Sequence, residues 1–497
     1  MAEPARMTPP PLSAARYLAG LQCPRRLWLL ENAPDPVGPA PPAWVNDSAA
    51  EVRRAARQVF PGGVAAEGQA IAALLAGPAV PAIFDAVVVA GGAQVRVDVL
   101  AREPGGWTLV KVKGSGSMKD HYLDEVALQA HVLGEAGVAL RGIEVMHLNT
   151  AYVRGPDGID AAALFTRADV SAAVGARIAA IAGRLAVLRD VPGQTVLPFA
   201  EPGRQCDTPY SCGFWPRCAS DKPKDWVRLL PRLTAMQAQG LAVLGVEAIS
   251  AIPADFPLDG RQAVIRDAFA TGRPYIAADL PRLLHRFAPP ACYLDFEAMM
   301  PPIPLYAGTR PFQTLPFQWS LHHTGAAGTL THQAFLAPHD ADPRRAFAET
   351  LIAALAALPG PVIVYSPFEQ TQLRQLAAHF PDLAAPLGAI IARLADLLPV
   401  VRGAVYFPAF GFSNSIKAVA PALSSGFSYD DLTGIADGAA ASAAFAGMAS
   451  GSITDPAAIA AQRRALLAYC ERDTLAMVVV HRALQRAASQ TDGGQSA

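Results

Sequence analysis

Hydrophobic and polar positions change period several times along the chain, and each change marks an expected element. Residues 13–30 repeat at helical spacing behind a proline-rich opening, Pro9 to Pro11, with Ser13 as the N-cap. Helical spacing returns over residues 47–60 and 67–75. The period then falls to two: residues 82–89, 94–100 and 107–113 predict three strands, turning at Gly91–Gly92 and Gly105–Gly106. An amphipathic helix over 119–135 and a strand over 143–149 follow, and the region closes near Cys218. This order predicts a mixed α/β core.

Residues 222–290 read as a helical, proline-punctuated connector. Within it residues 239–253 faintly resemble a helix-hairpin-helix, a small unit that binds phosphate backbones; a plain connector helix pair is the simpler reading. A second α/β region starts at Ala291, with a strand over 292–296 and a hairpin of 317–323 and 329–336 around Thr324-Gly-Ala-Ala-Gly. A helix over 344–358, a strand over 362–366, a helix over 369–379 and a long helix over 456–488 complete it. The alanine-rich residues 438–451 read as a loop or a loose helix. The expected domains are 1–221, 222–290 and 291–490.

A length of 497 residues suits two or three domains, and 52% hydrophobic with 17% charged residues indicates a globular chain. No run of 18 apolar residues suggests a membrane span, and the start lacks the pattern of a secretory signal, so the cytoplasm is expected. The net charge of −1 argues against non-specific coating of duplex. Any nucleic acid must be held by local patches such as Arg25–Arg26, Arg53–Arg54–Arg57 or Arg344–Arg345, although such doublets are more often solvated helix faces.

The strongest chemistry lies in Tyr293-Leu294-Asp295-Phe296-Glu297. Residues two apart on a strand face the same way, so both carboxylates project together. Neighbouring anions in a poorly solvated site resist joint ionisation; a divalent cation resolves the conflict, and oxygen ligands favour magnesium or manganese. Alone, the pair is barely better than a strand end reaching solvent. Glu369 just after the second buried strand strengthens it, and Asp396 could add an acidic group. Tyr469 and Asp473, four apart on one helix, share a face. In Phe412-Ser-Asn-Ser-Ile-Lys417, Ser413 or Ser415 would cap a helix, leaving N–H groups and Lys417 for a phosphate, or simply cap a surface helix.

These motifs, over residues 291–490, resemble the DnaQ-like or DEDD exonucleases, with their Asp-x-Glu, Phe-Asp and Tyr-x-x-x-Asp. The element order is likewise that of a ribonuclease-H-like mixed sheet flanked by helices. The resemblance implies a nuclease, a 3′–5′ exonuclease on single-stranded DNA or RNA. Asp295, Glu297, Glu369 and Asp473 would hold two Mg²⁺ or Mn²⁺ ions, and Tyr469 would orient the attacking water. Glu369 departs from the usual aspartate, and the third motif lacks the usual histidine, which selects the tyrosine subtype. Glu471 and Arg472 read as surface residues.

Cys206, Cys212 and Cys218 recur with five residues between neighbours in a loop-forming context, and Cys23 is the obvious fourth ligand. In a cytosolic chain such clustering points to metal rather than disulfides. Cys292 and Cys470 read as small buried hydrophobes. One early cysteine and three late ones resemble the iron–sulfur nucleases of the RecB-like group, which implies a four-iron cluster; a structural zinc stays open. That group carries Asp, then Glu-x-Lys, then a helical Gln. Here Asp98, Lys113 and Gln129 fit, but Lys111 stands where the metal-binding glutamate belongs, and Leu133 replaces an expected tyrosine. The N-terminal region, expected to adopt a RecB-like restriction-endonuclease-type core, therefore reads as a degenerate site that keeps nucleic-acid binding. Together the motifs resemble a bacterial family of unassigned function joining both modules, and the expected exonuclease would act in DNA repair or defence. The rival readings are a non-catalytic nucleic-acid-binding scaffold and a metal–redox protein.

Overall fold

The computed structural model describes residues 10–34, 43–67, 71–77 and 80–493. Pro9 and residues 68–70 of the helix expected over 67–75 lie outside them. The chain divides into two compact mixed α/β units: Met1–Asp221 with Pro301–Gln313, and Lys222–Met300 with Thr314–Ala497.

The first unit's strands are β1 (Leu12–Ser13), β2 (Val64–Ala65), β3 (Ala82–Ala90), β4 (Ala93–Glu103), β5 (Gly106–Lys113), β6 (Leu140–Leu148) and β7 (Phe165–Asp169). They form one sheet in the order β2-β3-β4-β5-β6-β7, with β1 beside β4. Gly91, Gly92 and Gly105 turn the β3–β4–β5 meander at positive φ, where a side chain would be strained. Parallel pairing of β5 with β6 needs a crossover, and the helix Tyr122–Glu135 supplies it. Leu109 joins Val126, Leu133 and Val145 in one core, while Val110 and Val112 join Val52, Ala56 and Met146 in another. Both faces of the sheet are thus covered. Residues 301–313, expected inside the second α/β region, pack in this unit: Arg154 binds the carbonyls of Pro304 and Thr309, and Ile303 enters the second core.

The second unit's strands are β8 (Tyr275–Ile276), β9 (Ala291–Met299), β10 (Leu315–Thr324), β11 (Leu330–Leu336), β12 (Val362–Val364), β13 (Leu394–Asp396) and β14 (Val405–Tyr406). Its main sheet runs β11-β10-β9-β12-β13, with β9, β10 and β11 antiparallel and β12 and β13 parallel to β9. Leu294 and Phe296 pack on the helices Arg344–Ala356 and Phe368–His379. The opposite face carries Tyr293, Asp295 and Glu297 and meets the terminal helix Pro456–Gly493, to which Gln318 bonds through the Leu466 carbonyl at 2.8 Å.

Three expectations change. Residues 438–449 form a full helix, capped by Asp437 and burying Ala441, Ala444, Phe445 and Met448; alanines let it approach the sheet closely. The connector 222–290 belongs to the second unit, because β8 pairs with β14 and Arg261 bonds the Val405 carbonyl at 3.1 Å. No helix pair forms over 239–253: the helix Ala235–Val243 ends before Gly245, at φ 68°, and only a 3₁₀ turn, Ile249–Ala251, follows. Among the described residues no single helix is long and apolar enough to cross a membrane.

Candidate active site

Four carboxylates from three separate elements meet at the central strand of the second sheet. Asp295 and Glu297 lie on β9, Glu369 in the first turn of the helix Phe368–His379 beyond β12, and Asp473 on the terminal helix. Glu297, Glu369 and Asp473 are only 6%, 3% and 8% exposed, too little for water to carry their charge. Burial drives Asp295 well above the usual carboxylate range, and Asp473, Glu297 and Glu369 push it further. Burial, then Asp473, lifts Glu297 to about 8 against the pull of Lys417. Burial lifts Glu369 to about 7 although Ser366 opposes it, and Asp473 is raised by burial as well.

The surroundings fix these groups. Tyr429 donates from its hydroxyl to Asp473 Oδ1 at 2.7 Å, and Ser366 donates to Glu369 Oε2 at 3.3 Å. Lys417 Nζ donates to the Tyr469 oxygen at 2.6 Å and to the Ala436 carbonyl at 3.0 Å. Asp295, Glu297 and Cys470 each offer a ligand atom within 4.8 Å of the others. Asp295 and Glu369 open onto a cleft of about 520 Å³ lined by Tyr365, Arg402, Ser413 and Ser415. Such an oxygen-rich, charge-starved set fits a divalent cation.

Several expected roles shift. Lys417 spends two of its three donors on Tyr469 and the Ala436 carbonyl. Ser415 occupies the N-cap of the helix Ile416–Leu423 but its side chain makes no capping bond. Asp396 raises Glu369 from a distance, while its own carboxylate accepts the Leu398 N–H at 2.9 Å. Arg344 is buried against Asp342, and Arg345 binds Glu349 and Asp382, so that doublet is not a phosphate patch. Cys470 is buried as expected, and its thiol also lies 3.6 Å from Asp295 Oδ2. Its position three before Asp473, on the same helix face, was the available signal. Nothing in the spacing around Tyr429 marks it.

In the first unit Asp98, Lys111, Lys113 and Glu125 form a closed ion network. Lys111 Nζ lies 3.1 Å from Asp98 Oδ2 and 2.7 Å from Glu125 Oε1, and Lys113 Nζ lies 2.5 Å from Glu125 Oε2. Burial works against the Lys111 charge, but Asp98 and Glu125 outweigh it and raise its pKa. Burial likewise resists the Glu125 charge, and Lys111 and Lys113 overcome it, holding Glu125 at about 2. Gln129 turns from this network and donates to the Arg96 carbonyl at 2.7 Å. Lys113, His121, Tyr122 and Tyr210 line a cleft of about 630 Å³ together with Arg26 and Arg204.

All six cysteines are free thiols. Cys23, at the junction of the helices Ala14–Gln22 and Pro24–Asn32, shares one pocket with Cys206, Cys212 and Cys218. Gln22 ties the two chain segments by donating to the carbonyls of Gln205 and Tyr210 at 2.6 and 2.7 Å. Burial raises the Cys206 and Cys218 thiols, and the other cysteines of the group add to it. Unlike Asp295, Glu297 and Cys470, these four do not bring three ligand atoms within 4.8 Å of one another.

Residues 292–415 match a family described as a domain of unknown function, DUF2779. That segment includes Asp295, Glu297 and Glu369 and ends before Lys417, Tyr469 and Asp473. No curated protein matches the chain.

Proposed function

We infer that the second unit is a metal-dependent nuclease of the DnaQ-like type, a 3′–5′ exonuclease on single-stranded DNA or RNA. One observation carries this reading: three buried carboxylates and the half-buried Asp295 converge with a single ammonium, Lys417, among the described residues around them. Fully ionised, that set leaves an uncompensated negative charge that must be met by protons or cations. Divalent ions held by Asp295, Glu297, Glu369 and Asp473 would supply charge to the attacking and leaving oxygens of an in-line displacement. Tyr429 and Tyr469 hold Asp473 in place by hydrogen bonds. Burial and the nearby carboxylates push the Tyr469 phenol above its usual range, so it orients a water without taking its proton. A sheet of three antiparallel strands followed by two parallel ones suits a ribonuclease-H-like fold.

The first unit takes the complementary role of a RecB-like module that binds strands without cutting them. Its Lys111 ammonium sits between Asp98 and Glu125, where a catalytic cation would be needed. Aromatic rings beside arginine and lysine in the adjoining cleft suit base stacking and phosphate pairing. The cysteine group suits a four-iron cluster, with a four-thiolate zinc as the alternative. Visible absorption in the purified protein separates the two, since a zinc site is colourless.

Labelled single strands with Mg²⁺ or Mn²⁺ test the nuclease. Nucleotides should be released by the wild type, with Asp295→Asn and Asp473→Ala each reducing the rate at least on the order of 10²-fold. Equal release by wild type and both variants, or binding without any release, would leave the scaffold reading in its place.

A further inference from the structure

Beside the carboxylate cluster, the second unit gathers another set of metal-binding side chains. His322 on β10 and His332 on β11 are register partners, and their rings lie 4.6 Å apart between centroids. Opposed residues of antiparallel strands project from the same face. The terminal helix brings Glu471 to that pair. One ligand atom from each of His322, His332 and Glu471 lies within 4.8 Å of the other two.

A chain of hydroxyls braces the imidazoles. His322 Nδ1 shares a hydrogen bond with Thr474 Oγ1 at 2.8 Å. Ser320 Oγ links Thr474 Oγ1, at 2.8 Å, to His332 Nε2, at 2.9 Å. His332 Nδ1 stands 3.6 Å from Glu471 Oε1. Such outer partners orient imidazoles around metal ions. Burial first, and His332 second, push His322 down to about 4, so its ring is neutral at physiological pH. Two nitrogens and one carboxylate oxygen are a donor set for zinc or its neighbours rather than for magnesium.

We propose that His322, His332 and Glu471 bind one zinc-class transition-metal ion, separate from the Asp295–Asp473 cluster, which fastens the terminal helix to the β10–β11 hairpin. Glu471 precedes Asp473 by two residues and follows Tyr469 by two. An ion held there fixes the helix register that presents both residues to Asp295 and Glu297. The site does not depend on the nuclease reading, because it is detected by metal content and stability.

Equilibrium dialysis of the full chain against micromolar Zn²⁺, followed by metal counting, compares the wild type with His332→Gln and Asp295→Asn. Because the His332 side chain is 25% exposed, its replacement spares the core. His332→Gln should hold one zinc fewer per chain than wild type, the double variant with Asp295→Asn should hold one fewer than Asp295→Asn alone, and zinc should raise Tm less wherever His332 is replaced. Glu471→Gln, at an exposed position, should weaken zinc binding about tenfold and serves if His332→Gln folds poorly. Co²⁺ in the same site should lack the strong near-ultraviolet absorption of thiolate ligation, which sets it apart from the cysteine group. Equal zinc in the wild type and both His332→Gln and Glu471→Gln overturns the proposal. So does a thiolate-type band in the wild-type minus His332→Gln cobalt difference spectrum, or a lowered Tm in His332→Gln with unchanged zinc content.

Discussion

At Glu297, burial and the charges of Asp473 and Glu369 favour the protonated acid, and the Lys417 ammonium opposes them. The unfolded chain releases this proton near the ordinary value of 4.5, while the folded chain keeps it to about 8, and Glu369 keeps its own to about 7. Across that window the native state holds more protons than the unfolded one, so stability falls as pH rises. Metal-free protein should therefore lose Tm between about pH 5 and about pH 8, added Mg²⁺ should restore it at the upper end, and Glu297→Gln should flatten the slope. Melting curves of stripped protein check this; a Tm that holds steady across the window removes the argument. Asp295 and Glu297 were legible because a two-residue repeat on a buried strand forces both carboxylates to one face. Tyr429 was not, since the hydroxyl that holds Asp473 arrives from a loop 44 residues earlier, and no local period encodes that meeting.

The helix Gly438–Ala449 shows why some elements escape such reading. Amphipathic contrast reveals a helix when one face is polar, and this one is alanine, glycine, methionine and phenylalanine nearly all round. What it does have is Asp437 as cap and Phe445, which stacks on Phe317 of β10 with ring centroids 4.0 Å apart. Phe445 is fully buried, so Phe445→Ala should cost about 3–5 kcal/mol. Urea unfolding followed by circular dichroism measures that loss, and a change below about 1 kcal/mol would mean the helix is not a fixed part of the core. The strands of the first meander stand at the other extreme: glycine turns and alternating valines announce β3, β4 and β5 without help from tertiary context. Residues 301–313 carry no local sign of their packing, because their partners, Arg154 and the core around Met146, lie far away in sequence.

Taken as a whole molecule, each unit solves the problem of buried carboxylates differently. In the second, four acids share one lysine and their proton affinities rise. In the first, Lys111 and Lys113 satisfy Asp98 and Glu125, and Glu125 falls to about 2. The substitution of lysine for an expected glutamate was visible in the sequence, but its consequence, an ammonium bonded to both acids, needed the fold. That contrast makes the first unit convertible. Lys111→Glu removes the internal cation and adds a third carboxylate beside Asp98 and Glu125, leaving Lys113 as the only remaining positive charge in the network. Such a group should draw in a divalent ion, as crowded acids do. In an Asp295→Asn background, which on the proposed function silences the second unit, Lys111→Glu should bind one additional Mn²⁺ per chain and gain manganese-dependent strand cleavage. Lys111→Met, which removes the charge without supplying a ligand, should do neither. If Lys111→Glu folds, binds no more manganese than Lys111→Met and cuts nothing, then Lys111 is not standing in for a metal ion and the first unit was never built around one.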